Sequence, residues 1–398
     1  MDSSSAIEFG AVMKKDCFHF EEGVTFINHG SYGAVPLKIR EKQKQLLDEV
    51  NDNPDEFYRL KEHDLYMRAR DAAAKFTGAD PENLFFVQNT TTGVNSVLKS
   101  LQWQNGDGIL TNVFTFRGVA NTCRRVTEIS SCVQIHQFDI KLPIKDEQEV
   151  VKSMTVQLDK HPQVRLVLLD HITSHTALVF PLKKMIEECR KRDVLVLIDG
   201  AHAPGQVELN LEDLHPDFYT GNFHKWLYAP RGCAVLWISK DHHDWCTPLV
   251  TSLMYRKNIQ LEYFDQGTRD NIPYFLVPDV LDFYKQIGGM EKIHQYTGPL
   301  LEKACSMITE RLGTTTPEIP KSMAAPNMRL ILLPEYRDYT AETEVSRVMF
   351  KDIMTKYRIN CAIFPAHGHL YLRLSANIYN ELSDYVKIAD VLENLPRR

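Results

Sequence analysis

Two apolar runs that do not alternate, Val164-Arg-Leu-Val-Leu-Leu-Asp170 and Val194-Leu-Val-Leu-Ile-Asp199, constrain this chain more than any other feature. A strand with one wet face alternates apolar and polar side chains, whereas a strand covered on both faces is apolar throughout. Between the two runs, Pro181 precedes Leu182, Met185, Ile186 and Cys189, the i, i+3, i+4, i+7 spacing of a helix with one buried stripe. The three segments read as a strand–helix–strand unit of a parallel sheet covered by helices. Further strands are expected at Leu84–Gln88, Ile109–Val113, Val133–Phe138, Phe218–Thr220 and Cys233–Ile238, making seven with the first two.

The predicted fold is therefore α/β, with a large domain over residues 60–275 carrying a seven-stranded, mostly parallel sheet. Beyond residue 275 the pattern changes. Strands are expected at Asn327–Pro334, Asn360–Phe364 and Leu370–Leu374, and a helix from Glu381 to Leu395. These belong to a smaller α+β domain, residues 276–398, with residues 1–59 as an N-terminal segment packing against it. The 398 residues suffice for such an arrangement at roughly 100–200 residues per domain.

Charge and composition exclude several functions. A net charge of −6 offers no positive field to nucleic acid or an anionic membrane. No apolar run reaches the roughly 18 residues of a spanning helix, and Lys14, Lys15 and Asp16 interrupt the N-terminus where a signal peptide needs an apolar stretch. A cytoplasmic protein without nucleic-acid or membrane partners is expected. Cys17, Cys123, Cys132, Cys189, Cys233, Cys246, Cys305 and Cys361 form no CxxC pair, which favours reduced thiols over disulfides or zinc. His171 and His175 have the spacing of a zinc helix but follow a strand, as the His367 and His369 pair also lies off a helix, so no metal is expected. Neither GxGxxG nor GxxxxGK[ST] occurs, which removes the main support for nicotinamide and P-loop chemistry.

Three features carry chemistry. Ligands of open parallel sheets sit beyond the carboxyl ends of the strands, where Asp199 closes an apolar run and Gly200-Ala201-His202 follows. An acid there also serves as a plain structural cap. Lys225, between His224 and Trp226 in a short loop after Asn222, has the side chain that forms Schiff bases with carbonyl cofactors when its pKa is depressed. A solvated surface lysine is the alternative. Thr90-Thr91-Thr92-Gly93 separates a strand from the helical pattern Val94, Val97, Leu98, Leu101, placing hydroxyls and free N–H groups where a phosphate binds. Threonine there is also an ordinary helix cap. A phosphate cradle, an aspartate and a lysine in this order are the parts that hold pyridoxal 5′-phosphate.

With Asp199-Gly-Ala-His202, His224-Lys225, Gly267-Thr268, Arg373-Leu-Ser375 and Tyr379-Asn380, the chain resembles the class V aminotransferase family of fold type I pyridoxal-phosphate enzymes over nearly its whole length. Phe26-Ile-Asn28-His29-Gly30-Ser31 and His224-Lys225-Trp226-Leu227 look like the isopenicillin N epimerase-like branch, which includes hercynylcysteine sulfoxide lyase, the carbon–sulfur lyase of ergothioneine biosynthesis. The resemblance implies that Lys225 links to the cofactor and removes the substrate α-proton. It implies that Asp199 pairs with the pyridinium nitrogen, that His202 bonds the phenolic oxygen and that Phe116 stacks on the ring. Thr90, Thr91, Asn222 and His224 would hold the phosphate, with Thr268 from the other subunit of a homodimer that shares its active sites. Arg373 would bind the carboxylate of a small amino-acid substrate, its planar fork suiting bidentate contact. Asn28 and His29 are expected to line the substrate entrance.

Cysteine desulfurases of this family carry a nucleophilic cysteine before the carboxylate-binding arginine. Cys361 lies there, within the strand-like run Ile359–Phe364, and reads as a core thiol. The leading expectation is a lyase that eliminates sulfur from the β-carbon of an S-substituted cysteine or its sulfoxide, giving pyruvate and ammonia. Epimerisation needs a second acid on the opposite face, for which Tyr32 and His29 are candidates. Transamination, and a non-catalytic cofactor-binding protein on the same fold, stay open at this point.

Overall fold

All seven expected strands lie in one sheet. The computed structural model describes residues 8–130 and 133–398, so Cys132 and the first seven residues are outside the described residues. The strands are β1 (Leu84–Val87), β2 (Gly108–Asn112), β3 (Gln134–Phe138), β4 (Val164–Asp170), β5 (Leu195–Asp199), β6 (Phe218–Asn222) and β7 (Ala234–Ile238). Their spatial order is β1-β7-β6-β5-β4-β2-β3. Strands β2 to β6 run parallel, and β7 is antiparallel to both of its neighbours. Antiparallel neighbours accept a short connection where parallel ones need a crossover. The loop from β6 to β7, residues 223–233, holds Lys225 and is anchored at both ends by these paired strands.

Strands β4 and β5 are buried as their non-alternating sequences require, from Leu166 through Asp170 and from Val196 through Asp199. Successive residues point to opposite faces. Leu166, Leu168 and Leu197 pack on one side with Val94, Val97 and Leu98 of helix Thr90–Ser100. Val167, Leu169, Val196 and Ile198 pack on the other with Leu182, Met185 and Ile186 of helix Leu182–Arg190. Each fully buried leucine or isoleucine contributes about 1.5–3 kcal/mol.

A second, antiparallel sheet has the order β9-β10-β8, from β8 (Met328–Leu332), β9 (Ile363–Ala366) and β10 (His369–Ser375). The single strand expected over Asn360–Phe364 is divided. Ile359–Asn360 pairs in parallel with Thr25–Phe26, the ladder is interrupted at Cys361 and Ala362, and β9 begins at Ile363. An apolar run does not record a change of pairing partner. Helix Leu382–Glu393 is capped reciprocally by Glu381 and Asp384 and covers this sheet through Tyr385, Ile388 and Leu392. Of the N-terminal residues, Met13, Phe18, Ile39 and Phe57 join the core of the large sheet, and Ile27 joins that of the small one.

Among the described residues no helix is long and apolar enough to cross a membrane. Among the described residues seven cysteines are free thiols, and Cys361 is fully buried, as a core thiol should be.

Candidate active site

The carboxyl ends of β4 and β5 place Asp170 and Asp199 side by side in register. Asp199 is buried, and one oxygen accepts the Ala201 N–H at 2.9 Å. Burial raises its pKa, opposed by that N–H and by Lys225. Asp170 accepts the Asn112 amide at 2.7 Å. Burial and then the charge of Asp199 push Asp170 well above its ordinary value, opposed by the Asn112 amide.

Lys225 is held by its loop. The N–H groups of Phe223 and His224 both donate to the Cys233 carbonyl, at 3.0 and 3.2 Å. The N-terminal segment lies directly on this loop: at Gly33, with φ +68°, a Cβ would come within 2.1 Å of the His224 carbonyl oxygen. Only glycine fits there. Tyr228 adopts φ +67°, uncommon outside glycine, and its hydroxyl is tied to Asn377 at 2.9 Å.

His29 corrects an expectation. It was expected at the substrate entrance, but it is fully buried with both ring nitrogens engaged. Nε2 lies 2.9 Å from the Lys225 carbonyl, an acceptor only, so Nε2 carries the proton and donates. Nδ1 consequently accepts the Tyr379 hydroxyl at 2.7 Å. Burial lowers its pKa to about 4 and keeps it neutral. His29 positions the Lys225 backbone and has no nitrogen left for a substrate. Asn28, also expected at the entrance, is buried against Arg373.

The Lys225 amine lies 3.0 Å from Nε2 of His202. Burial and the Arg373 charge lower its pKa to about 7, against the opposing pull of Asp199. Near neutral pH a large share is therefore free amine, the form that acts as nucleophile and base. On the far side of His202, the Trp226 indole N–H points to Nδ1 at 3.3 Å. An indole N–H only donates, so Nδ1 is bare and Nε2 carries the proton. That N–H is directed to Lys225 and to the Ser174 hydroxyl at 3.3 Å. Trp226→Phe keeps the ring but removes the donor, and 15N NMR of His202 is expected to change from one tautomer to a mixture. A single Nε2–H tautomer in the variant would refute this role.

Arg373, on β10, is 1% exposed. Its terminal nitrogens donate to the Ser174 carbonyl, to Asn28 Oδ1 at 2.9 Å and to Ser31 Oγ at 3.2 Å, all neutral oxygens. Its Nε has no partner. Among the described residues no carboxylate pairs with it. A buried cation without an anion is costly unless a ligand supplies the negative charge.

At the start of helix Thr90–Ser100, Asn89 rather than a threonine is the cap, accepting the Thr92 N–H at 2.9 Å. Asn222 accepts the Thr90 N–H at 2.9 Å, and the buried Thr90 hydroxyl has no partner. An unpartnered hydroxyl at a helix N-terminus fits an absent phosphate. His224 points Nδ1 at the Cys233 carbonyl, 2.9 Å away, leaving Nε2 uncommitted; burial and Lys225 lower its pKa to about 4. Thr91 is exposed, and Phe116 is 41% exposed at the start of helix Arg117–Ile129. Thr268 is also exposed, and within one chain no hydrogen bond among the described residues joins it to this cluster. His171 bonds Tyr219 at 3.0 Å while His175 packs on Phe364, so their rings diverge. Sequence reasoning missed Asp170, Ser174 and the role of Trp226. The strand-end rule that found Asp199 applies equally to Asp170 and the loop after it.

The fold is that of solved carbon–sulfur lyases and desulfurases. A cystine C–S lyase in complex with its reaction product cysteine persulfide superposes with a TM-score of 0.78 at 20% identity, covering 94% of this chain and 98% of that one. A cysteine desulfurase from Thermococcus onnurineus gives 0.73 at 18% identity, with 96% of each chain covered. The family model "Aminotransferase class-V" matches residues 34–381, and the chain belongs to that family. It is an enzyme of fold type I, and its cofactor is pyridoxal 5′-phosphate, which the unpartnered Thr90 hydroxyl and the adjacent Lys225 and Asp199 fit. Hercynylcysteine sulfoxide lyase of Schizosaccharomyces pombe is 29% identical over 97% of both chains. A putative L-cysteine desulfhydrase of Oryza sativa is 28% identical over 97% of this chain and 86% of its own. Isopenicillin N epimerase of Amycolatopsis lactamdurans is 28% identical over 95% and 96%.

Proposed function

We propose that the enzyme is a carbon–sulfur lyase performing β-elimination on an S-substituted cysteine or its sulfoxide, releasing a sulfur product, pyruvate and ammonia. The observation that carries this reading is a buried lysine amine 3.0 Å from His202, in the same site as a buried arginine that pairs with no carboxylate among the described residues. When bound, pyridoxal 5′-phosphate supplies an electron sink for charge developing at the substrate α-carbon. Asp199 would pair with its ring nitrogen, His202 with its phenolic oxygen and Phe116 with the face of its ring, while Thr90, Thr91, Asn222 and His224 would hold its phosphate. Arg373 fixes the substrate carboxylate, and the Lys225 amine accepts the α-proton. Elimination needs one base. An epimerase needs a second acid, and His29 is committed to Lys225 and Tyr379, leaving the 71%-exposed Tyr32. The names of the lyase and desulfhydrase relatives support the same choice.

In this reading residues 60–275 hold the cofactor, while 1–59 and 276–398 form the substrate side. Thr268 of a second subunit completes the phosphate site in a homodimer. Exposed Leu249, Val250, Leu253 and Tyr255 support such an interface. Light scattering is expected to give twice the 45.8 kDa of the chain, and a fully active monomer would reject the shared site.

Proton NMR in heavy water with L-cysteine, S-substituted cysteines and their sulfoxides tests the reaction. Pyruvate is the expected product. Loss of the α-proton signal without pyruvate would identify an epimerase or transaminase instead. Thr90→Val tests the cofactor site separately. The free enzyme is expected to keep its melting temperature, since the hydroxyl has no partner there, while cofactor binding weakens roughly 10- to 100-fold.

A further inference from the structure

Five histidines surround Lys225 and the strand ends, and four have at least one ring nitrogen committed. His29 and His202 use both, His171 bonds Tyr219 and His224 bonds the Cys233 carbonyl. Among the described residues His175 has no hydrogen-bond partner. It is half-buried. It follows Ser174, which holds both Arg373 and His202, and its ring packs on Phe364 with centroids 4.2 Å apart. The Arg373 guanidinium lies 5.3 Å from the same phenyl ring.

The loop that carries His175 is tied by internal bonds. Thr173 and Thr176 bond through their hydroxyls at 2.8 Å, Thr173 Oγ1 also accepts the Leu178 N–H at 2.8 Å, and Ile172 bridges to Val179. Burial and the Arg373 charge lower the His175 pKa to about 4, so the ring is neutral, with one donor and one acceptor.

We propose that His175 is the specificity-determining residue for the substituent on the substrate sulfur, donating a hydrogen bond to a polar substituent such as a sulfoxide oxygen. The assignment rests on the β-elimination reading. A cysteine derivative with its carboxylate on Arg373 and its α-carbon at Lys225 has only its β-substituent left to meet an unused polar group, and His175 is the one beside that arginine. Elimination then proceeds as before: Lys225 takes the α-proton, the carbon–sulfur bond breaks and its electron pair leaves with sulfur. The neutral imidazole stabilises the oxygen without itself losing a proton.

S-methyl-L-cysteine and its sulfoxide differ by one oxygen; since that oxygen also changes the leaving group, the contact is read from the change in KM between wild type and variant. Wild-type holoenzyme is expected to prefer the sulfoxide about tenfold in kcat/KM. His175→Ala is expected to remove that preference through KM, with kcat on the thioether unchanged, and His175→Asn, which keeps an N–H donor, to restore part of it. Binding of L-alanine, which has no β-substituent, followed by cofactor absorbance, is expected to be equal in all three and reports intact folding. A wild type that discriminates together with an alanine variant that discriminates equally overturns the assignment alone, as does a wild type with no preference. Release of no pyruvate from either compound overturns the β-elimination reading and the assignment with it.

Discussion

Lys225→Ala is expected to lower turnover by roughly 10²- to 10⁴-fold or more, since it removes both the base and the covalent anchor. Borohydride treatment followed by peptide mass mapping should place a pyridoxyl group on the Lys225 peptide of the wild type and on none in the variant. Circular dichroism should show the fold unchanged. Normal turnover in the variant would refute the site. The pH dependence follows from the same environment. A lysine is a base only as free amine, so activity should rise as pH passes upward through about 7, not near the 10.5 of an ordinary lysine. An activity limb near 10 would mean that burial and Arg373 do not act on this amine.

The second large effect is expected at Arg373. Breaking a buried, hydrogen-bonded charge pair costs about 2–5 kcal/mol, so Arg373→Ala should raise KM for an amino-acid substrate roughly 30- to several-thousand-fold. Lysine at this position should rescue little, because it cannot reproduce a planar fork held at three neutral oxygens. A second signature separates charge from packing. Arg373 lowers the Lys225 pKa, so its removal should move the activity limb to higher pH. A raised KM with an unmoved limb would show that the two groups are not electrostatically coupled, and an unchanged KM would place the carboxylate elsewhere.

Much of the site was legible because its parts stand at the ends of elements with strong local signals. Asp199 terminates a continuous apolar strand, Lys225 follows the next one, and the threonines open a helix with a clear apolar stripe. Arg373 was found through the pattern around it rather than from physics, since nothing local distinguishes an arginine buried without a counter-ion from one on an edge strand. His29 was misplaced for the same kind of reason. Its surroundings come from Lys225, nearly 200 residues away, and from Tyr379, 350 residues away. The divided strand at Cys361 was invisible because apolar spacing encodes burial and not the identity of the pairing partner.

From the sequence alone came the α/β class, the seven strands of the main sheet and a set of candidate cofactor residues, because burial period, strand ends and side-chain chemistry are local properties. Tertiary structure alone decided their states. It brings Arg373 close enough to depress the Lys225 pKa, sets the Trp226 N–H against His202 to choose its tautomer, buries His29 as a support and packs His175 on the Phe364 ring that Arg373 also faces. Proton positions and charge depend on distance and desolvation in three dimensions, and those are set only when segments remote in the chain meet.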